Sequence, residues 1–62
     1  MIEWYFNANA SAWELYVDGS FKDRIWVEYS LVSSCDFYYR GGLLWMNLDT
    51  AKKGIEDYYA KP

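Results

Sequence analysis

The chain has no histidine, a single cysteine and a single proline. Without histidine it lacks the side chain most often used as a general base near neutral pH, and a common metal ligand with it. One cysteine, Cys35, cannot close an internal disulfide, so the framework that staples many tiny secreted proteins is excluded. With no imidazole to activate it, Cys35 reads as a packing residue, not a reactive thiol. No run approaches the roughly 20 apolar residues that cross a bilayer, and Met1-Ile2-Glu3 does not open a basic leader segment. A cytoplasmic protein with no membrane partner is the expectation. Phosphate loops, metal-ligand clusters and nucleophile elbows are missing as well, so no cofactor, metal or catalytic residue is assigned and a non-enzyme is expected. Carboxylate pairs such as Glu14 with Glu28 read as solvated charge.

What the sequence has in plenty is aromatic residues, which make up 23% of its 62 positions. A chain of this length is one small domain that buries only about 60% of its unfolded surface, and large rings compensate for the shortage of core. The formal net charge of −3 comes from carboxylates scattered along the chain. Scattered acidity favours solubility and works against binding of a polyanion, which ordinarily needs a basic face.

The strongest local pattern runs from Ser11 to Leu31. Trp13, Leu15 and Val17 alternate with Glu14, Tyr16 and Asp18, and beyond Gly19 the residues Phe21, Ile25, Val27 and Tyr29 alternate with Lys22, Arg24, Trp26 and Glu28. Residues two apart share a face of a strand, so both segments are amphipathic and form a hairpin. Asp23 interrupts the apolar set. A two-residue Asp18-Gly19 loop places Leu15 opposite Lys22 and mixes the faces. A three-residue loop with Gly19 in the left-handed region places Leu15 opposite Phe21 and Glu14 opposite Lys22, and this register is the one expected.

Ahead of the hairpin, Ile2, Trp4 and Phe6 alternate with Glu3, Tyr5 and Asn7 as a first strand, followed by a turn over 7–11. After it, 30–36 loses the period and reads as a loop. Phe37-Tyr38-Tyr39 and Leu43 to Met46, joined through Arg40-Gly41-Gly42, form either a second hairpin or a short strand beside an irregular apolar plug. Asp49 is the expected N-cap of a C-terminal helix with an apolar stripe of Leu48, Ala51, Ile55, Tyr58 and Tyr59, and with Lys52, Lys53, Glu56 and Asp57 on its wet side. Gly54 in that helix predicts a close approach to the sheet. The fold class expected is therefore α+β, an antiparallel meander of three or four strands packed against one C-terminal helix.

The functional expectation concerns the sheet face opposite the helix. Tyr5, Tyr16 and Trp26 point outward there among Glu3, Glu14, Lys22, Arg24 and Glu28. Such aromatics either pack on one another or anchor an interface, where Tyr, Trp and Arg are enriched. The partner-binding set is Tyr5, Glu14, Tyr16, Arg24, Trp26 and Glu28. Another protein is the leading occupant, nucleic acid held by Arg24, Trp26, Lys22 and Arg40 is the alternative, and a second copy forming a homodimer is the third.

Two resemblances bear on that choice. Trp13-Glu14-Leu15-Tyr16-Val17-Asp18-Gly19 and Leu48-Asp49-Thr50-Ala51-Lys52-Lys53-Gly54-Ile55-Glu56 together resemble the strand, Asp-Gly turn and helix of small phage and prophage proteins. That likeness implies a phage-encoded protein acting in the host cytoplasm, which inhibits or redirects a host protein. Three antiparallel strands followed by a helix also resemble integrase-type DNA-binding domains, with Arg24 and Trp26 on the matching face. Glu3, Glu14 and Glu28 share that face, which departs from the basic surface of a groove-reading sheet.

Overall fold

A computed structural model describes residues 1–60. Five strands, β1 (Ile2–Asn7), β2 (Ala12–Val17), β3 (Ser20–Ser30), β4 (Cys35–Arg40) and β5 (Leu43–Trp45), form one antiparallel sheet in sequence order, and α1 (Leu48–Ala60) follows. The expected meander is present with one strand more than the three or four anticipated. The extra strand is β5, for Gly41-Gly42 closes a tight hairpin that pairs Arg40 with Leu43 and Tyr38 with Trp45. β4 starts at Cys35, opposite Ser30, so the loop is shorter than its mixed composition suggested and consists of residues 31–34.

The central hairpin departs from expectation in an informative way. Its loop is the two-residue Asp18-Gly19, with Val17 opposite Ser20, and both loop residues have positive φ (53° and 82°). Positive φ at both positions gives the twist that suits paired strands, which is why Asp-Gly is favoured there. Tyr16 then faces Phe21, and Leu15 faces Asp23. A bulge at Lys22 absorbs one residue and restores the faces that an unbroken two-residue register would have mixed. Glu14 therefore pairs with Arg24, not Lys22, and Phe21 leaves the core side for the opposite face.

The helix covers one side of the sheet, packing on β3, β4 and β5. Leu15, Ile25, Ala51 and Ile55 form the buried centre, with Trp4, Trp13, Val17, Tyr38, Trp45 and Tyr59 packed around them. Burying such side chains is worth roughly 1.5–3 kcal/mol each for the large aliphatics. A Cβ built on Gly54 would lie 3.3 Å from Cζ2 of Trp45, so the helix does approach β5 closely there. The helix cap is Asn47, not Asp49: the Asn47 Oδ1 accepts the Thr50 N–H at 3.0 Å, and the Asn47 carbonyl accepts the Ala51 N–H. Tyr58, placed in the apolar stripe by its spacing, is largely exposed, whereas Lys52 and Glu56 are drawn in from the wet side. Lys52 Nζ sits 4.1 Å from the Trp13 ring centroid, and Glu56 accepts the Trp4 indole N–H at 2.7 Å. These contacts extend the helix's reach toward β1, while Ile2 and Phe6 at the sheet edge remain 43% and 49% exposed.

Below the helix, at the rim of the core, Asp23 of β3 is held by two other elements, β4 and α1. It accepts from Arg40 Nε at 2.9 Å and from the Tyr59 hydroxyl at 2.7 Å, and pairs with Arg40 Nη2 at 2.7 Å. Arg40, expected among the outward cations, thus lies on the helix side, because it pairs with Leu43 one position along from Tyr39.

Candidate functional face

Among the described residues, no element covers the face opposite the helix. Even-numbered positions of β2, odd-numbered positions of β1 and β4, and the post-bulge even positions of β3 all present their side chains there. The result is an uninterrupted row across four strands. Tyr5 meets Tyr16 edge to face with ring centroids 5.5 Å apart, and Tyr16 meets Phe21 in the same way at 5.8 Å. The Arg24 guanidinium carbon lies 5.6 Å from the Phe21 centroid and 5.8 Å from that of Trp26. Trp26 stacks on Tyr39 with an interplanar angle of 21°. Without the bulge, residues 21 and 24 would sit on opposite faces and the row would break in the middle.

Beneath the row lies one carboxylate. Glu14 is only 8% exposed and accepts from Asn7 Nδ2 (3.1 Å), from the Tyr16 hydroxyl (3.3 Å) and from Arg24 Nη2. The hydrogen bonds from Asn7 and Arg24, with the positive charge of Arg24, hold the Glu14 carboxyl below its ordinary pKa. Glu14 is therefore not a solvated surface charge but the group that fixes Arg24 between two rings. Arg24 Nε is buried with no hydrogen-bond partner among the described residues. Tyr5 donates to Glu3 at 2.9 Å, and that bond raises the phenol pKa above its usual value.

All six residues expected to form the site fall on this face, but they divide by role. Tyr5 (53% exposed), Trp26 (37%) and Glu28 offer surface, Tyr16 and Arg24 are half-buried, and Glu14 supports from below. Phe21, 51% exposed, and the half-buried Tyr39 and Phe37 complete the surface and were absent from the expected set. Asp23 was the available signal for Phe21: an acidic residue breaking an apolar period in a hairpin marks a bulge as readily as a defect. Lys22 protrudes at the bulge, and Arg40 belongs to the other side of the sheet.

Comparison of the chain with protein families, with curated proteins and with solved structures finds no match. The geometry of the face accordingly carries the functional reading. Among the described residues there is no cluster of three potential metal ligands, and no helix is long and apolar enough to cross a membrane.

Proposed function

We propose that this chain is a non-catalytic interaction protein that docks a partner protein on the helix-free face of its sheet. The observation that carries the reading is the continuous row Tyr5–Tyr16–Phe21–Arg24–Trp26–Tyr39, ordered by ring contacts and a buried carboxylate yet open to solvent. A face that only needed covering would not require an arginine clamped between two rings. Preorganised rings and a fixed guanidinium lose little conformational freedom on binding, which is the property of interface anchors.

Charge selects the partner. Arg24 and Glu14 neutralise each other, which leaves Glu3 on β1 and Glu28 on β3 at either side of the row. Glu28 has no ion-pair partner among the described residues. The complementary surface is apolar at its centre and carries Lys or Arg at its flanks, so that encounter is steered electrostatically. The resemblance to small phage proteins supplies a class for it, a host protein that is inhibited or redirected. Stacking of single-stranded nucleic acid is the weaker reading, since Arg24 is paired with Glu14 and Arg40 with Asp23, leaving Lys22 to meet a phosphate backbone.

Capture from a bacterial lysate with wild type and Trp26→Ala, followed by titration of the captured protein, tests the proposal. Trp26→Ala is expected to weaken binding by roughly 2 kcal/mol or more while the far-ultraviolet spectrum is unchanged. Undiminished binding by that variant, or binding to oligonucleotides that falls steeply with salt, would reject it.

A further inference from the structure

We propose that two copies of this chain join through their β1 strands, making one continuous ten-stranded sheet. The two ends of the sheet differ in how well they are protected. β5 is three residues long, and so short an edge offers little to a pairing strand. β1 is six residues long and contains no lysine, proline or bulge. Natural sheets commonly use such devices, and charged side chains, to prevent edge-to-edge association, and of these β1 carries a single charge, Glu3, on the outer face.

The backbone of β1 fixes which groups are open. The Asp18 N–H donates to the Met1 carbonyl at 2.9 Å, in register with the β1–β2 pairing that continues unshifted from Ile2 to Asn7. Hydrogen bonding alternates along an antiparallel strand. Glu3, Tyr5 and Asn7 therefore turn their peptide groups toward β2, and Ile2, Trp4 and Phe6 turn theirs to the open edge.

Those three residues are arranged symmetrically about Trp4. A two-fold axis at Trp4 pairs Ile2 with the second copy's Phe6, Trp4 with Trp4, and Phe6 with Ile2. In that register every outward N–H and C=O of the three residues finds a partner, six hydrogen bonds in all by the alternation rule. A shift of one residue would oppose peptide groups that point toward β2. The side chains agree with the backbone: Ile2 and Phe6 extend past the helix on the core side, half-exposed, and would cover each other across the junction. The backbone of α1 packs on β3, β4 and β5 and the helix reaches β1 through Lys52 and Glu56 at Trp4, so Ile2 and Phe6 on either side remain open to receive the second copy. On the opposite face Glu3 meets Tyr5 of the second copy, and the two aromatic rows become parts of a single surface carrying two copies of the partner site.

This inference stands apart from the proposed partner site, because it concerns backbone edges and not the outer face. Light scattering and sedimentation across concentration should give a mass of two chains. Ile2→Lys combined with Phe6→Lys sets like charges opposite each other at the junction and is expected to raise the dissociation constant by roughly tenfold or more. Phe21→Lys, on the outer face, should leave the dimer intact. The register is read separately in a Cys35→Ser background, with Glu3→Cys and Tyr5→Cys proteins oxidised alone and after mixing. Opposed residues of that type lie about 4.5 Å apart at Cα, within reach of a disulfide. Cross-linked dimer forming only in the mixture supports the proposal, even if the lysine variant fails to fold. A mass of one chain at millimolar concentration, dimers dispersed by Phe21→Lys, or equal cross-linking of Tyr5→Cys alone would overturn it.

Discussion

Replacing Asp23 by alanine tests the internal logic of the fold most directly, since the bulge at Lys22 is what carries this carboxylate to the core side. Its side chain is 11% exposed, and it joins β3 to β4 through Arg40 and to α1 through Tyr59. Burial pushes the Asp23 carboxyl pKa up, but the hydrogen bonds from Arg40, from Tyr59 and from the Arg24 N–H outweigh it and hold the group below its ordinary value. A hydrogen bond to a charged group contributes about 1.5–3 kcal/mol. Two features reduce the loss: the Arg40 side chain is 34% exposed and recovers water, and the Tyr59 hydroxyl has the Lys22 carbonyl 3.1 Å away as a second acceptor. The expected cost is therefore about 2 kcal/mol, a large share of the roughly 3–9 kcal/mol available to a domain of this size. Urea unfolding followed by tryptophan fluorescence should show a lower midpoint at unchanged slope. The pH dependence has a definite sign. A carboxyl whose folded pKa is depressed contributes stability that is fully present above its unfolded value, about pH 4, and is lost as pH falls through the folded value. The gap between wild type and Asp23→Ala should accordingly be widest near neutrality and narrow below about pH 4. A loss under about 0.5 kcal/mol, the size of an ordinary surface substitution, or a gap that does not narrow in acid, would refute the reasoning.

Tyr59→Phe, which removes one of the donors to Asp23, should cost about 1 kcal/mol in the same urea assay. Asn47→Ala is expected to destabilise by about 1 kcal/mol and Asp49→Ala by distinctly less, because Asn47 holds the cap. Gly54→Ala should fall short of the roughly 1 kcal/mol gain that helix propensity alone would give, since the added Cβ presses on Trp45. Ile55→Ala empties a site that is 2% exposed and should cost about 2–5 kcal/mol, read as the largest drop in urea midpoint among these variants.

The parts of this structure that could be read from the sequence are those where one period ran unbroken. Trp13, Leu15 and Val17 alternate without interruption, and they pack on the core as expected. Ala51 and Ile55 are four residues apart, and both are buried beneath the helix. Where two local rules competed, the reading went astray. Asp18-Gly19 favours a two-residue turn, whereas face matching disfavours it, and the chain satisfies both by spending one residue, Lys22, on a bulge. Asn47 and Asp49 are both good caps, and tertiary position, not propensity, decides between them. Glu14 looked like solvated charge because a strand position does not reveal that Asn7, Tyr16 and Arg24 close over it. The aromatic and charged composition of the outer face was visible beforehand. Its continuity was not, since that depends on Phe21 changing sides.

The order β1 to β5 has a kinetic corollary. Each strand pairs only with its neighbours in the chain, so the sheet closes through short loops at small entropic expense and needs no distant segment to begin. The contacts of longest range belong to α1, whose Glu56 meets Trp4 across 52 positions and whose Tyr59 meets Asp23 across 36. The meander can therefore zip up progressively while its apolar side stays open to water, until α1 swings back over it. During that interval Leu15, Ile25 and Trp45 lie bare, and the final helix acts as the latch that ends the exposure.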